Sequence, residues 1–171
     1  MSPSAPLPVD PISEAHRQWA AHGWGEAADG MAAVTSVMRA HQIMLSRVEA
    51  VLRPHGLTFA RYEMLMLLLF TKQGTLPMNK ASARLQVHPT SITNVVDRLE
   101  AVGLVRRRKH PSDRRTTLVE ITDEGRSLAH TATEKLNTEV FAAPGLEQSG
   151  VEQLVTVLTE LRRDAGDFVE E

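Results

Sequence analysis

The sequence predicts a mainly α-helical fold carrying one small β-hairpin, on three observations. Apolar residues recur every three or four positions over long stretches near both ends of the chain. Glycines stand where most of these stretches stop, and two short runs, Leu104 to Arg108 and Thr116 to Ile121, flank the turn-forming KHPSDR. The 171 residues suit one domain with helical extensions, and a composition of 42% hydrophobic and 23% charged residues fits a folded, soluble chain.

Taken in order, residues 1–12 read as a mobile arm, because four prolines fall within the first eleven positions. Ser13 then caps a short helix, Glu14 to Ala21, that carries Trp19 and ends near Gly23 and Gly25. From Met31 to Leu52, positions 31, 34, 38, 41, 45, 48 and 52 form a stripe that is apolar except at His41, and Val37, Met44 and Val51 add a second. A helix apolar over more than one face needs two surfaces to cover it. Gly56 stops it, and Thr58 caps the next helix, Phe59 to about Lys72, whose MLMLLLF centre is expected to be core, with Gly74 at its end. A short helix follows from Asn79 to Leu85. His88 with Pro89 fits an N-cap followed by a first-turn proline, opening a helix that runs to about Val102 and stops at Gly103. After the hairpin, Thr122 caps a helix to about Val140, with Asp123 and Glu124 placed favourably against its dipole. The break AAPG at 142–145 precedes a last helix with apolar or small residues at 151, 154, 158, 161, 165 and 168.

Several function classes are excluded by what the chain lacks. There is no cysteine, which removes disulfides, thiolate metal sites and cysteine redox sensing. Seven histidines without close i, i+4 pairs give poor metal spacing, and no G-x-S-x-G or phosphate loop points to catalysis, so no catalytic residue, metal or cofactor is expected. The longest apolar run, Met64 to Phe70, is too short for a membrane span, which needs about 20 residues. MSPSAPLPVDP has neither a basic residue nor an apolar stretch of the secretory kind, so a cytoplasmic address is expected.

Net charge is −2, yet Lys80 to Leu118 holds nine basic and three acidic residues, a local +6 on a remainder of −8. A cationic segment of that kind can bind polyanions whatever the total. Within it, Ala81, Leu85, Val87, Ile92, Val95 and Leu99 are expected to bury against Leu67–Phe70, and Thr90, Ser91, Thr93, Asn94, Asp97 and Arg98 to point outward. The outward set is small and hydrogen-bonding, as contacts to base edges and phosphates require. RRRKHPSDRR places six basic residues within ten positions on the hairpin. Helix, helix, short helix, capped helix and charged hairpin together describe a winged helix-turn-helix lobe, joined to a helical dimerisation region. The expected boundaries are an arm at 1–12, an extension and dimerisation helix at 13–56, the winged lobe at 57–122 and C-terminal dimerisation helices at 123–171.

The candidate DNA contacts are His88, Thr90, Ser91, Thr93, Asn94, Arg98, Arg108, Lys109, Arg114 and Arg115. Asp113 is expected to orient the wing by pairing with Arg114 or Arg115, since a carboxylate near phosphates is repelled, and Asp97 is discounted as a base reader likewise. Arg106 is taken to alternate with Arg108, one of the two facing inward as a structural residue.

LQVHPTSITNVVDRLEAVGLVRRRKHPSDRRTTLVEITDEGRSL resembles the MarR family of bacterial transcription regulators in its recognition helix, DRLE..GLV turn, D-R-R wing and T-D-E-G entry to the following helix. Gln86 departs from the glycine usual there, and Ser82 from the usual alanine. The resemblance spans about residues 30–165 and implies a homodimer held by the terminal helices, bound to a pseudo-palindromic double-stranded operator, with a small molecule between the dimer helices and the DNA-binding lobe. Trp19, Glu63 and Arg107 are similar to the pattern of the PecS and urate-responsive branch, although Val95 stands where that branch carries a ligand-binding arginine. An effector pocket built from Trp19, His41, Met44, Glu63 and Arg107, taking a small anionic or aromatic molecule and releasing a repressor from DNA, is the expectation. The competing expectation is a winged helix used only for protein contacts.

Overall fold

A computed structural model describes residues 7–85, 89–113 and 115–169. The chain divides into two compact units, Met1–Val48 and Glu49–Glu171. The element order is α1 (Pro11–Ala21), α2 (Gly25–Leu52), α3 (Phe59–Leu69), β1 (Thr75–Pro77), α4 (Met78–Leu85), α5 (Pro89–Ala101), β2 (Val105–Lys109), β3 (Thr117–Ile121), α6 (Asp123–Leu136) and α7 (Gln148–Asp164). Among the described residues no helix is long and apolar enough to cross a membrane.

In the first unit α1 begins two residues before the expected cap. The Asp10 carboxylate accepts from the Ile12 and Ser13 N–H groups at 3.1 and 3.3 Å and from the Ser13 hydroxyl at 2.6 Å, so Asp10 is the cap and Ser13 its partner. Pro11 at the first helical position costs nothing, because its missing N–H had no helical acceptor. The helix therefore begins inside the segment 1–12 that proline content marks as an arm. After a left-handed Gly23, α2 starts at Gly25, six residues ahead of the expected Met31, because Glu-Ala-Ala sustains a helix that carries no apolar stripe to announce it. His16 Nε2 meets Asp29 Oδ1 at 2.7 Å, and Trp19 and Trp24 pack edge to face at 5.4 Å, closing α1 onto the start of α2. Along α2, Val34, Val37, Met38, Ile43 and Met44 remain exposed, and α1 has no buried residue.

In the second unit Thr58 caps α3 as expected, its hydroxyl accepting from the Arg61 N–H at 3.4 Å. Tyr62, Met64, Leu65 and Leu68 are buried, but Phe70 lies past the helix end and is 78% exposed, so the apolar run is core only as far as its helical register allows. α5 buries Ile92, Val96 and Leu99, spaced four and three, leaving Val95 only half-buried: the expected Val95 is displaced from the core by its neighbour. The sheet has three antiparallel strands in the order β1-β3-β2, with Leu76 opposite Val119 and Val105 opposite Ile121. β1, which sequence pattern did not announce, is three residues long, and its Pro77 is tolerated because the strand lies at an edge.

The entry to α6 is locked from several sides. Thr122 Oγ1 accepts from the Gly125 N–H at 3.0 Å and donates toward the carbonyls of Gly103 and Leu104 at 2.8 and 3.1 Å. Gly125 passes so close to the Leu104 carbonyl that a Cβ would lie 2.1 Å from its oxygen. α6 packs on α3, where the Tyr62 hydroxyl and Thr133 Oγ1 are 3.0 Å apart, and it ends at Leu136 in a wider π turn, Asn137–Phe141, rather than running on as α-helix to Val140. α7 has no buried residue, and Val155, Val157 and Leu161 are exposed.

Candidate nucleic-acid interface

α5 sorts its polar residues onto two stripes by helical spacing alone. Ser91, Asn94 and Arg98 follow one another at three and four, and Thr93, Asp97 and Glu100 at four and three. Thr90, Ser91, Thr93, Asn94 and Arg98 are all exposed. Thr93 lines a groove with Asn79, Ser82 and Ala83 of α4. Asp97 and Glu100 lie on the side from which β2 approaches, and there the Arg107 guanidinium bridges the two carboxylates. Its Nη2 meets Asp97 Oδ1 at 2.5 Å, its Nη1 donates to Glu100 Oε2, and the Arg107 backbone N–H donates to Glu100 Oε1 at 2.8 Å. Arg107 is thus the clamp between helix and wing, bound on three counts within this unit.

Strand geometry corrects the expected alternation of Arg106 with Arg108. Residues two apart share a face of a strand, so both arginines point the same way and both reach Glu120 of β3, at 2.9 and 3.0 Å. The Arg106 guanidinium, helped by that of Arg108, holds the Glu120 carboxyl down to about 2 against the opposing effect of its burial. Arg108 remains exposed, but any phosphate it meets is shared with Glu120.

Asp113 meets Arg115, one of its two expected partners, through the backbone, and Thr116 besides. Its Oδ1 accepts from the Arg115 backbone N–H at 2.9 Å and its Oδ2 from the Thr116 hydroxyl at 2.6 Å, while the His110 N–H donates to the Thr116 carbonyl at 3.1 Å. These bonds, that to Thr116 first, hold the Asp113 carboxyl below its usual range. With the carboxylate engaged by turn groups, the Arg115 side chain is left outside the turn. Lys80, Arg84, Arg98, Lys109 and Arg115 have no ion-pair partner among the described residues. His88 and Arg114, both expected contacts, lie outside the described residues.

The expected pocket residues fall in both units. Trp19 stands on α1, where it packs against Trp24, and His41 and Met44 are exposed on α2. In the second unit Glu63 lines a cleft of about 370 Å³ walled by Phe59, Tyr62, Met66, Phe70 and Phe141. Burial raises the Glu63 carboxyl above its usual range. One wall of the cleft follows helical spacing on α3, from Phe59 through Tyr62, Glu63 and Met66 to Phe70 just beyond it, but Leu85 and Phe141 come from distant segments that no local pattern joins to it. The clamp left one signal: Asp97 and Glu100 are one helical turn apart, with a cation just beyond the Gly103 turn.

The family model for MarR matches residues 59–117. Among solved structures, Sco5413, a MarR family transcriptional regulator from Streptomyces coelicolor, is similar with a TM-score of 0.76 at 49% identity, covering 83% of this chain and 99% of that one. CouR from Rhodococcus jostii RHA1, solved bound to p-coumaroyl-CoA, is similar with a TM-score of 0.64 at 29% identity, covering 79% and 92%. The uncharacterized HTH-type transcriptional regulator YhbI of Bacillus subtilis (strain 168) is 32% identical over 85 residues, half of this chain and 54% of that protein. The chain thus spans about half the length of that curated relative.

Proposed function

This chain belongs to the MarR family of transcriptional regulators, a non-enzymatic family, and we propose that it works in the cytoplasm as a homodimeric repressor that a small molecule releases from its operator. The observation that carries DNA binding is the pairing of an exposed stripe of short hydrogen-bonding residues on α5 with wing cations that have no carboxylate partner. Asn94 and Arg98 offer the side chains suited to adenine and guanine edges, with Thr90, Ser91 and Thr93 beside them. Lys109 and Arg115, with Arg108 and the sequence-expected His88 and Arg114, supply phosphate contacts. We assign the winged lobe to residues 57–122, with the flanking segments 11–56 and 123–171 as dimerisation regions.

Dimerisation is supported by apolar side chains that the single chain leaves uncovered: Val34, Val37 and Met38 on α2 and Val155 and Leu161 on α7. For the effector, Glu63 in its aromatic cleft is the strongest candidate, with Trp19, His41 and Met44 as further candidates. Arg107 serves the clamp first. A ligand acts only through a difference in affinity between DNA-competent and incompetent states, and coupling of about 1–3 kcal/mol changes DNA affinity some 5–150-fold.

Footprinting on the DNA upstream of the protein's own gene tests the whole reading. The expected result is a protected pseudo-palindrome with half-sites one helical turn apart, roughly 34–36 Å. A protein that binds every duplex equally, or none, is not a repressor of this kind. Light scattering should give a dimer that Leu161→Glu disperses while leaving the chain folded.

A further inference from the structure

Four of the seven aromatic residues of this chain, Phe59, Tyr62, Phe70 and Phe141, wall the same cleft of the second unit, and among the described residues its lining contains one carboxylate and no basic side chain. The size, about 370 Å³, lies in the range of small-ligand sites. The Phe59 and Tyr62 rings stack at 6.4 Å, and the Tyr62 hydroxyl is engaged by Thr133, so that ring presents carbon rather than a donor. Glu63 has no hydrogen bond or ion pair among the described residues, although it is half-buried. A half-buried carboxylate that no described residue pairs, set between aromatic walls, is a candidate seat for a cation.

We propose that this cleft binds a flat aromatic ammonium compound, its rings against the phenylalanines and its cationic nitrogen on the Glu63 carboxylate. The proposal rests on the effector reading above and narrows it. Among the described residues the lining offers no arginine of the kind a carboxylated ligand would need, and Arg107 is engaged by Asp97 and Glu100. An anion entering the cleft would meet Glu63 with nothing between them, whereas a cation supplies the missing partner and gains from the ring faces as well. Of the two chemistries open at the level of sequence, aromaticity is retained and negative charge gives way to positive.

Three probes of one shape separate the possibilities: naphthylmethylamine, naphthylmethanol and naphthylacetate, titrated calorimetrically into the full-length protein. The amine is expected to bind at least tenfold more tightly than the alcohol, and the carboxylate more weakly than either. Glu63→Gln, which keeps the shape and removes the charge, should abolish the advantage of the amine while leaving the alcohol within about twofold. Phe59→Ala should weaken all three. Carboxylate binding equal to that of the amine, a Glu63→Gln variant that loses all three probes together, or no amine binding up to millimolar concentration would each overturn the proposal. Operator affinity measured with saturating amine keeps the two readings apart. If the amine binds as stated and DNA affinity is unchanged, the ligand class stands and the effector reading fails; if the carboxylate binds preferentially and releases DNA, the reverse holds.

Discussion

Arg107 of β2 and Asp97 of α5 meet at 2.5 Å, joining the helix proposed to read base edges to the cationic wing. Removing the guanidinium leaves Asp97 and Glu100 as two unopposed carboxylates on α5, where they would repel the phosphates of DNA bound at the proposed interface. Arg107→Ala is therefore expected to cost operator binding about 1–2 kcal/mol, a 5- to 30-fold rise in Kd. Arg107→Lys, which keeps the charge and loses the fork, should fall between. Fluorescence anisotropy with a fixed operator measures both; a Kd equal to that of the parent would mean that the clamp does nothing for binding.

Among the described residues Lys109 and Arg115 are wing cations without an acidic partner, so their replacement should be read in the salt dependence. Log K against log salt loses about 0.9 of slope for each phosphate contact removed, hence ~1.8 for the double alanine variant. Arg106→Ala should change the slope less, because Glu120 already balances that charge. Equal slopes in all three proteins would take the wing off the DNA.

Asn94→Ala and Arg98→Ala should change which sequence is preferred rather than the affinity for every sequence. Loss of a bidentate base contact relaxes discrimination at one base pair by about 1–3 kcal/mol. Selection from a randomised operator library would reveal the relaxed position. Uniform weakening across the library would place these side chains on phosphates instead.

Glu120 gives the fold an acid limb. Its folded carboxyl lies at about 2, below the ordinary 4.5, so its contribution is complete above 4.5 and is lost as pH falls toward 2. Because Arg106 and Arg108 are largely exposed, the amount is small, below about 1 kcal/mol. Urea titrations at several pH values should show Glu120→Gln less stable than the parent at pH 6, with the gap narrowing toward pH 2. Glu14, held down to about 2 by Arg17 and Gln18, titrates in both proteins and cancels in the comparison.

Gly125→Ala should destabilise the second unit by about 1–3 kcal/mol, since the new methyl group meets the Leu104 carbonyl and the backbone must shift. A lower Tm with unchanged dimerisation is the expected outcome. A melting curve identical to that of the parent would mean that α6 moves aside without cost.

Helix existence was legible where apolar period and caps agreed: Thr58 before α3, Thr122 before α6, Gly103 after α5. Misjudged boundaries fell where the deciding signal was not apolar. Gly25 to Gly30 is helical without a stripe, and Asp10 caps α1 through a side chain that sequence alone cannot distinguish from Ser13 as the cap. Val96 replaced Val95 in the core because both are valines and only the packed helix reveals which one faces inward. The cationic segment was visible as a sum, but its partition was not: Arg106 and Arg108 are balanced from β3 and Arg107 from α5, and those partners come from strand register and from the chain reversal at Gly103. The aromatic cleft is closed by Phe141, more than 70 positions beyond the α3 residues it faces, and that closure is out of reach of any local pattern.

The two stripes of α5 divide labour. Asp97 and Glu100 belong to the stripe that Arg107 grips, and Ser91, Asn94 and Arg98 to the stripe that nothing grips. Address and chassis are therefore written on different letters of one helix, and the first can be rewritten without loosening the second. Grafting another regulator's residues at 91, 94 and 98 should move this protein to a new operator with its stability intact, whereas any graft that includes 97 or 100 must carry a matching residue at 107.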